Sequence, residues 1–432
     1  MKTTVPWPQL IGIFLLSRLL VLIGLGLSYC KTAVMIAVGI FRWVFFMPDP
    51  GGKIACWHRL FLHSHVPSLE DIASYWDGFW YLRLAQDGYT FNGSVNHQTV
   101  AHYPFFSLIC YLFSRPIALL GISNTSAILW TGIFLNNLLF LGSLVLLFLI
   151  VRRYHGELIA LSAALLLALF PGSVYYSLFL TESFFLFFCL AFFYLLEEKR
   201  YWLAALVSWP AMLTRYNGLF LFVIMGYSLK KKNLLILGFM ALGIALYPIY
   251  LGIVFHEPLL YVKLQAVYRG ARSLGVPIVG LLTVLLFGVC TFLRRLKLHK
   301  PVMLLFLVLT AVYLGMSLWA LLGKTTLHSA ISLTEVTGMS ASAFAVIVFA
   351  LYRHKLPTQY QIFTALHLMA IFYAGTFASD HRYVAVIFPL FWMLALALGD
   401  HPILRKTCAA IFGVGLVVLT ILYAAMAWSA IL

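Results

Sequence analysis

Apolar runs follow one another along almost the whole of this 432-residue chain, parted by short loops in which Lys and Arg gather. A helix needs about 20 apolar residues to cross a bilayer, and fewer where its end is buried in protein. By that rule a first span is predicted at 8–29. Further runs lie near 104–121, 126–151, 158–170, 181–196, 201–214, 217–229, 233–254, 277–293, 301–323, 338–352, 356–376, 383–399 and 407–430. Only 48–103 is polar over an extended stretch. The pattern predicts an all-α polytopic membrane protein with about 11–13 transmembrane helices. It forms one integral-membrane domain over 1–432, with 30–104 as a large first non-cytosolic loop containing interfacial helices and 105–430 as the helical bundle.

Composition turns this pattern into a statement about solvent. Hydrophobic residues make up 63% of the chain and charged residues 10%, against about 25% charged in a soluble domain. The net charge of +16 would raise the question of nucleic acid, but no basic run exceeds three residues or forms a stripe on a polar helix. Instead the clusters fall in loops: Arg152–Arg153, Lys199–Arg200, Lys230 to Lys232, Arg294–Arg295 with Lys297 and Lys300, Arg353 with Lys355, and Arg405–Lys406. All lie on one side if 104–121, broken by Arg115–Pro116, is re-entrant or interfacial. That side, cytosolic by the positive-inside rule, then carries 16 basic against 4 acidic residues, and the other 12 against 9. Six scattered cysteines show no CxxC or metal-ligand spacing. Cys30 and Cys56 share the non-cytosolic loop and are expected as free thiols. The N-terminal span has no small-residue cleavage site, so it is expected to be a retained anchor.

With this orientation Asp77, Glu182, Arg215 and Asp380–His381–Arg382 land on the non-cytosolic side. Ser68 with Asp71 makes a capping-box pattern, after which Leu69, Ile72, Trp76, Phe79, Trp80 and Arg83 recur at helical spacing. The stretch 68–90 is therefore predicted as one interfacial helix with aromatic anchors, Asp77 pointing out of the lipid. A carboxylate there is either an ordinary surface group or a general base toward a hydroxyl, while guanidinium groups can hold a phosphate through bidentate, charge-assisted contacts. Glu182 is either an ionisable functional group in a membrane segment or a helix N-terminal carboxylate. Arg215, His381 and Arg382 are either phosphate ligands or anchors for lipid headgroups. No GxGxxG, GxxxxGK[ST] or DxD motif is present, so no nucleotide cofactor is expected, and the sequence leaves any need for a divalent metal open.

The segments YWDGFWYLRLAQDGY, HYPFF, FPGSVYYSLFLTESFFLF and RYWLAALVSWPAMLTRYNGLF, in that order, resemble the PIG-V family of membrane mannosyltransferases, GPI mannosyltransferase 2 and its prokaryotic relatives, within the GT-C superfamily. The likeness runs from about 75 to 225 and, more faintly, through HRYVAVIFPLF. It implies a GT-C fold with the catalytic aspartate in the first non-cytosolic loop, which falls on Asp77, and a polyprenyl or dolichyl phosphosugar donor whose hexose, mannose by resemblance, is transferred with inversion to a lipid or glycan acceptor. The family's FFP is replaced here by His102-Tyr103-Pro104. Trp76, His102 and Tyr103, from the resembling segments, are expected to bind substrate together with Arg215, Glu182, His381 and Arg382. The short non-cytosolic loops favour a prokaryotic relative, which implies the plasma membrane, or the endoplasmic reticulum in a eukaryote. A transporter or flippase for lipid-linked sugars would be expected to repeat its halves, and neither WDGFWY nor TES recurs. A catalytically inactive relative with a structural role fits the same sequence.

Overall fold

The computed structural model describes residues 5–29, 68–93, 98–229, 233–270, 333–373, 379–399 and 401–430. The predicted spans at 277–293 and 301–323, the Lys230 to Lys232 cluster, and Cys30, Cys56 and Cys290 lie outside the described residues. Among the described residues every regular element is a helix.

Helix α1 (Trp7–Ser28) is followed by two short helices, α2 (Leu69–Ala73) and α3 (Asp77–Asp87), then α4 (Pro104–Ala118) and the 46-residue α5 (Asn124–Leu169). After a 3₁₀ turn at Pro171–Tyr176 come α6 (Glu182–Glu197), α7 (Tyr201–Met212), α8 (Leu219–Leu229), α9 (Leu234–Phe255) and α10 (Leu260–Gly270). The remainder comprises α11 (Leu333–Tyr352), α12 (Thr358–Tyr373), α13 (Asp380–Ala385), α14 (Phe388–Leu398) and α15 (Pro402–Ala430). Among the described residues four helices are long and apolar enough to cross a membrane: α1, α5, α9 and α15 over Pro402–Ala424. Large apolar side chains stand exposed along them, among them Leu15, Leu19 and Leu22 on α1 and Leu235, Leu242 and Ile253 on α9. This is a helical membrane protein. Such faces need no covering where the solvent is hydrocarbon.

The two runs expected at 126–151 and 158–170 are the arms of α5, which meet at Gly156 (φ 76°, ψ −179°), a backbone conformation that a glycine adopts without a Cβ clash. That break lies beside Arg152–Arg153, where the basic ends of several helices converge: Arg153 pairs with Glu198, and Glu197 accepts hydrogen bonds from Gln359 Nε2 (2.8 Å) and Tyr360 (3.0 Å). The run at 104–121 is the single helix α4. Its 15 residues span about 22 Å, short of a 30 Å hydrocarbon core.

The prediction of one continuous helix over 68–90 is corrected. The capping box is present, with Ser68 N donating to Asp71 Oδ2 at 2.8 Å, but the helix stops at Ala73 and restarts at Asp77. The cause is tertiary. Phe179 N donates to Ala73 O (3.0 Å), and Gly78 packs so closely on that segment that a Cβ would stand 3.0 Å from Phe179 O. The run expected at 383–399 is likewise interrupted between α13 and α14, where Pro389 follows the restart. The larger core lies between α5, α6, α7, α11, α12 and α14, and a second one sits beneath α2, α3 and α4 against the far end of α15.

Candidate active site

Asp77 opens α3, and the residue before it bends the chain. Trp76 has φ 62° and ψ −127°, a backbone conformation costing about 1–3 kcal/mol for a residue with a side chain. Its ring stacks on Tyr75 (5.8 Å between centroids) and meets the edge of Tyr423 at 6.4 Å, so packing from α15 holds the bend. The loop leading to Glu182 is tied to the same place. Asn136 Nδ2 donates to Leu178 O (2.6 Å) and Leu180 O (2.9 Å), fixing the approach to α6.

Glu182 begins α6 and is fully buried. A negative charge at this position meets the positive end of the helix dipole, and two arginines complete its surroundings. Arg215 stands in extended backbone between α7 and the 3₁₀ turn at Tyr216–Gly218. Its Nη1 pairs with Glu182 Oε1 and donates to Thr181 Oγ1 at 3.2 Å. The reversal there depends on Gly218 through close packing, since a Cβ would lie 2.5 Å from Met212 Cα. Arg382, on α13, has Nε 2.5 Å from the same Glu182 Oε1 and donates from Nη2 to Asp77 Oδ2 at 2.6 Å. The Tyr383 ring lies under both guanidinium groups, 5.2 Å from Arg215 and 5.8 Å from Arg382.

Two carboxylates and two guanidiniums therefore alternate through Asp77, Arg382, Glu182 and Arg215. The chain is charge-balanced, as buried ions must be. Burial grades along it: the Glu182, Arg382 and Arg215 side chains are at most 6% exposed, and Asp77 is 34% exposed. Glu182 Oε2 has no hydrogen-bond partner among the described residues.

The other residues singled out from the sequence lie around this core. His381 shares a hydrogen bond between its Nε2 and the Tyr175 hydroxyl, and its carbonyl is so close to Gly172 that a Cβ there would stand 2.5 Å away. Asp380 is buried and accepts from Ser342 Oγ at 2.5 Å. His102 stacks on Trp80 (6.3 Å) and meets the edge of Tyr81 at 4.9 Å. Burial, with the nearby Asp77 carboxylate, keeps the Tyr81 phenol above its ordinary range and so protonated. Tyr103 turns instead to Tyr247 (5.2 Å) and Tyr261 (4.8 Å). A cavity of about 560 Å³ lies between the end of α3, α4 and α9, lined in part by Gln86, Tyr89, Ser107, Leu213, Tyr247 and Tyr250.

Sequence reasoning passed over Tyr383, Tyr175, Ser342 and Tyr81. Their helical neighbours give no hint of them, although Tyr383 follows Arg382 directly. Arg18 is a further case. At the middle of α1 it donates to Ser173 O (3.3 Å), Ser173 Oγ (3.1 Å) and Ser177 Oγ (2.5 Å), with its guanidinium 4.6 Å from the Phe140 ring centre. It thereby holds α1 to the turn that carries Tyr175.

Among solved structures the chain is similar to the oligosaccharyltransferase of Archaeoglobus fulgidus. With the form tethered to an acceptor peptide it shares 15% identity over 81% of this chain and 51% of that one, at a TM-score of 0.41. With the apo form it shares 13% over 93% and 56%, also at 0.41. The chain thus spans about half the length of those structures. No curated protein sequence matches it significantly. Residues 60–242 match the family described as Mannosyltransferase (PIG-V). The matched segment supplies Asp77, Glu182 and Arg215 to the cluster, and the chain is similar to the PIG-V mannosyltransferases through it.

Proposed function

We propose that this protein is a membrane glycosyltransferase of GT-C type that moves a hexose, mannose by family, from a polyprenyl or dolichyl phosphate donor to a hydroxyl on a lipid or glycan acceptor. One observation carries the reading: Asp77 is the exposed member of a cluster whose other three members are buried, and two of those are arginines. In the reaction the acceptor oxygen attacks the anomeric carbon from the side opposite the phosphate, which inverts that centre. The bond from carbon to phosphate oxygen breaks, the acceptor proton passes to Asp77, and the lipid phosphate leaves with its charge neutralised by Arg382 and Arg215. The transfer needs no nucleotide, since the leaving group is itself a phosphate.

The site opens at the non-cytosolic face in this reading. Glu182 and Glu197 stand at opposite ends of α6, and the basic residues Arg153, Lys199 and Arg200 gather at the Glu197 end. The positive-inside rule makes that end cytosolic.

The test is to incubate the purified full-length protein with polyprenyl-phosphate mannose and host lipid extract and to follow transferred label. Asp77→Asn keeps shape but deletes the base, so transfer should fall on the order of 10²–10⁴-fold, with the unfolding temperature lowered less than by Glu182→Gln because Asp77 is the one partly exposed member of the cluster. Transfer at the wild-type rate would remove Asp77 from the mechanism and turn attention to Asp71, Asp87 and Asp380.

A further inference from the structure

Arg382 is engaged on two edges. Its Nε faces Glu182 Oε1 at 2.5 Å on the buried side, and its Nη2 donates to Asp77 Oδ2 at 2.6 Å on the side that reaches solvent. Arg215 is already held by the same Glu182 oxygen and by Thr181. A phosphate that approaches the Nη2 edge of Arg382 from the solvent side meets it where Asp77 now sits. It needs the same donor, since guanidinium recognition of phosphate and of carboxylate uses the same N–H groups. A carboxylate paired with arginine is also a weak base, because the cation favours its ionised form.

We propose that the donor's phosphate takes Arg382 from Asp77, so that the carboxylate becomes a competent base only once the donor is seated. This rests on the lipid-phosphate reading above and adds to it an order of events. Donor binds first, acceptor second, and Arg382 passes from one anion to another without leaving Glu182. Glu182 is the positioning residue of the exchange: with both arginines on Oε1, it keeps the Arg382 guanidinium from following Asp77 outward. The lipid phosphate product, carrying more negative charge than the donor diester, keeps Arg382 until it departs, and Asp77 then returns.

The exchange makes an uncommon prediction, that deleting the catalytic carboxylate strengthens ligand binding. Farnesyl phosphate is the probe, with farnesol as its uncharged control, titrated against the full-length protein in detergent. Asp77→Asn should bind farnesyl phosphate on the order of tenfold more tightly than wild type, the scale of one charge-assisted hydrogen bond relieved of its competitor. In an Arg382→Gln background the same substitution should bring no gain. Equal or weaker binding by folded Asp77→Asn overturns the exchange. So does a gain that persists in Arg382→Gln, which would mean that Asp77 merely repels phosphate. If Arg382→Gln does not fold, wild-type kinetics decide: farnesyl phosphate should compete with the donor and not with the acceptor, and a random order of addition overturns the proposal. Wild type and variants that bind farnesyl phosphate no better than farnesol would overturn the lipid-phosphate reading itself.

Discussion

Helix α6 has a carboxylate cluster at each end, and the two differ in every respect that matters for chemistry. At its start Glu182 is fully buried, at the helix N-terminus, and shared between two buried arginines. Just past its end Glu198 pairs with Arg153, both about one-third exposed, while Glu197 is held by a tyrosine and a glutamine. The second arrangement is what a helix end in contact with water and headgroups ordinarily carries. The first puts four charges where solvation is poor, a costly placement unless each charge is matched. The contrast teaches where to look for function: the charges with the highest cost of burial are those whose geometry the rest of the fold is built to hold.

Substitutions at the two ends should separate this contrast. The largest effect is expected from Glu182→Gln, which leaves two buried arginines with only Asp77 between them. Removing one partner of a buried pair costs about 3–5 kcal/mol, read as a drop in unfolding temperature and in folded yield after extraction. Unfolding at the wild-type temperature would show that the cluster is not balanced as described. Arg215→Lys should be intermediate. A point charge cannot serve both Glu182 and Thr181 in the planar geometry of a guanidinium, and donor KM is expected to rise about tenfold, a charged hydrogen bond's worth, with the protein still folded. An unchanged KM would reassign Arg215 to structure alone. The smallest effect is expected at the other end. Arg153→Ala removes a pair about one-third exposed, so stability should shift by no more than about 1 kcal/mol and transfer should not change. A large loss there would abolish the distinction between the two ends.

Much of this was legible in the sequence because a bilayer constrains helices so strictly. The spans at α1, α9 and α15, the reversal at Arg215 and the break near Arg152 follow from apolar length and punctuating polar residues. That Asp77, Glu182, Arg215 and Arg382 share one side is expected from loop charge together with the reading of 104–121 as a run that does not cross, and the structure joins them in one cluster. The break at Trp76 was not legible. Local spacing favours a continuous helix over 68–90, and what overrides it is a hydrogen bond to Phe179, about a hundred residues on, with the packing of Tyr423 from the other end of the chain. The pairing inside the cluster was hidden for the same reason. Side-chain positions on four separate elements fix it, and no periodicity reports them.

Arg18 gives the order of synthesis a role in assembly. It sits at the centre of α1, where translocon scales charge an arginine roughly 2.5–3.5 kcal/mol, and its partner Ser173 follows 155 residues later. At about 5–20 residues per second, the ribosome delivers that partner some 8–30 s after Arg18 enters the membrane. Through that interval the hydrophobicity of the rest of α1 must hold the helix in place alone, with the guanidinium drawn toward water. When the turn at Pro171–Tyr176 emerges, it captures the waiting arginine, and α1 is locked to the segment that carries Tyr175 toward His381.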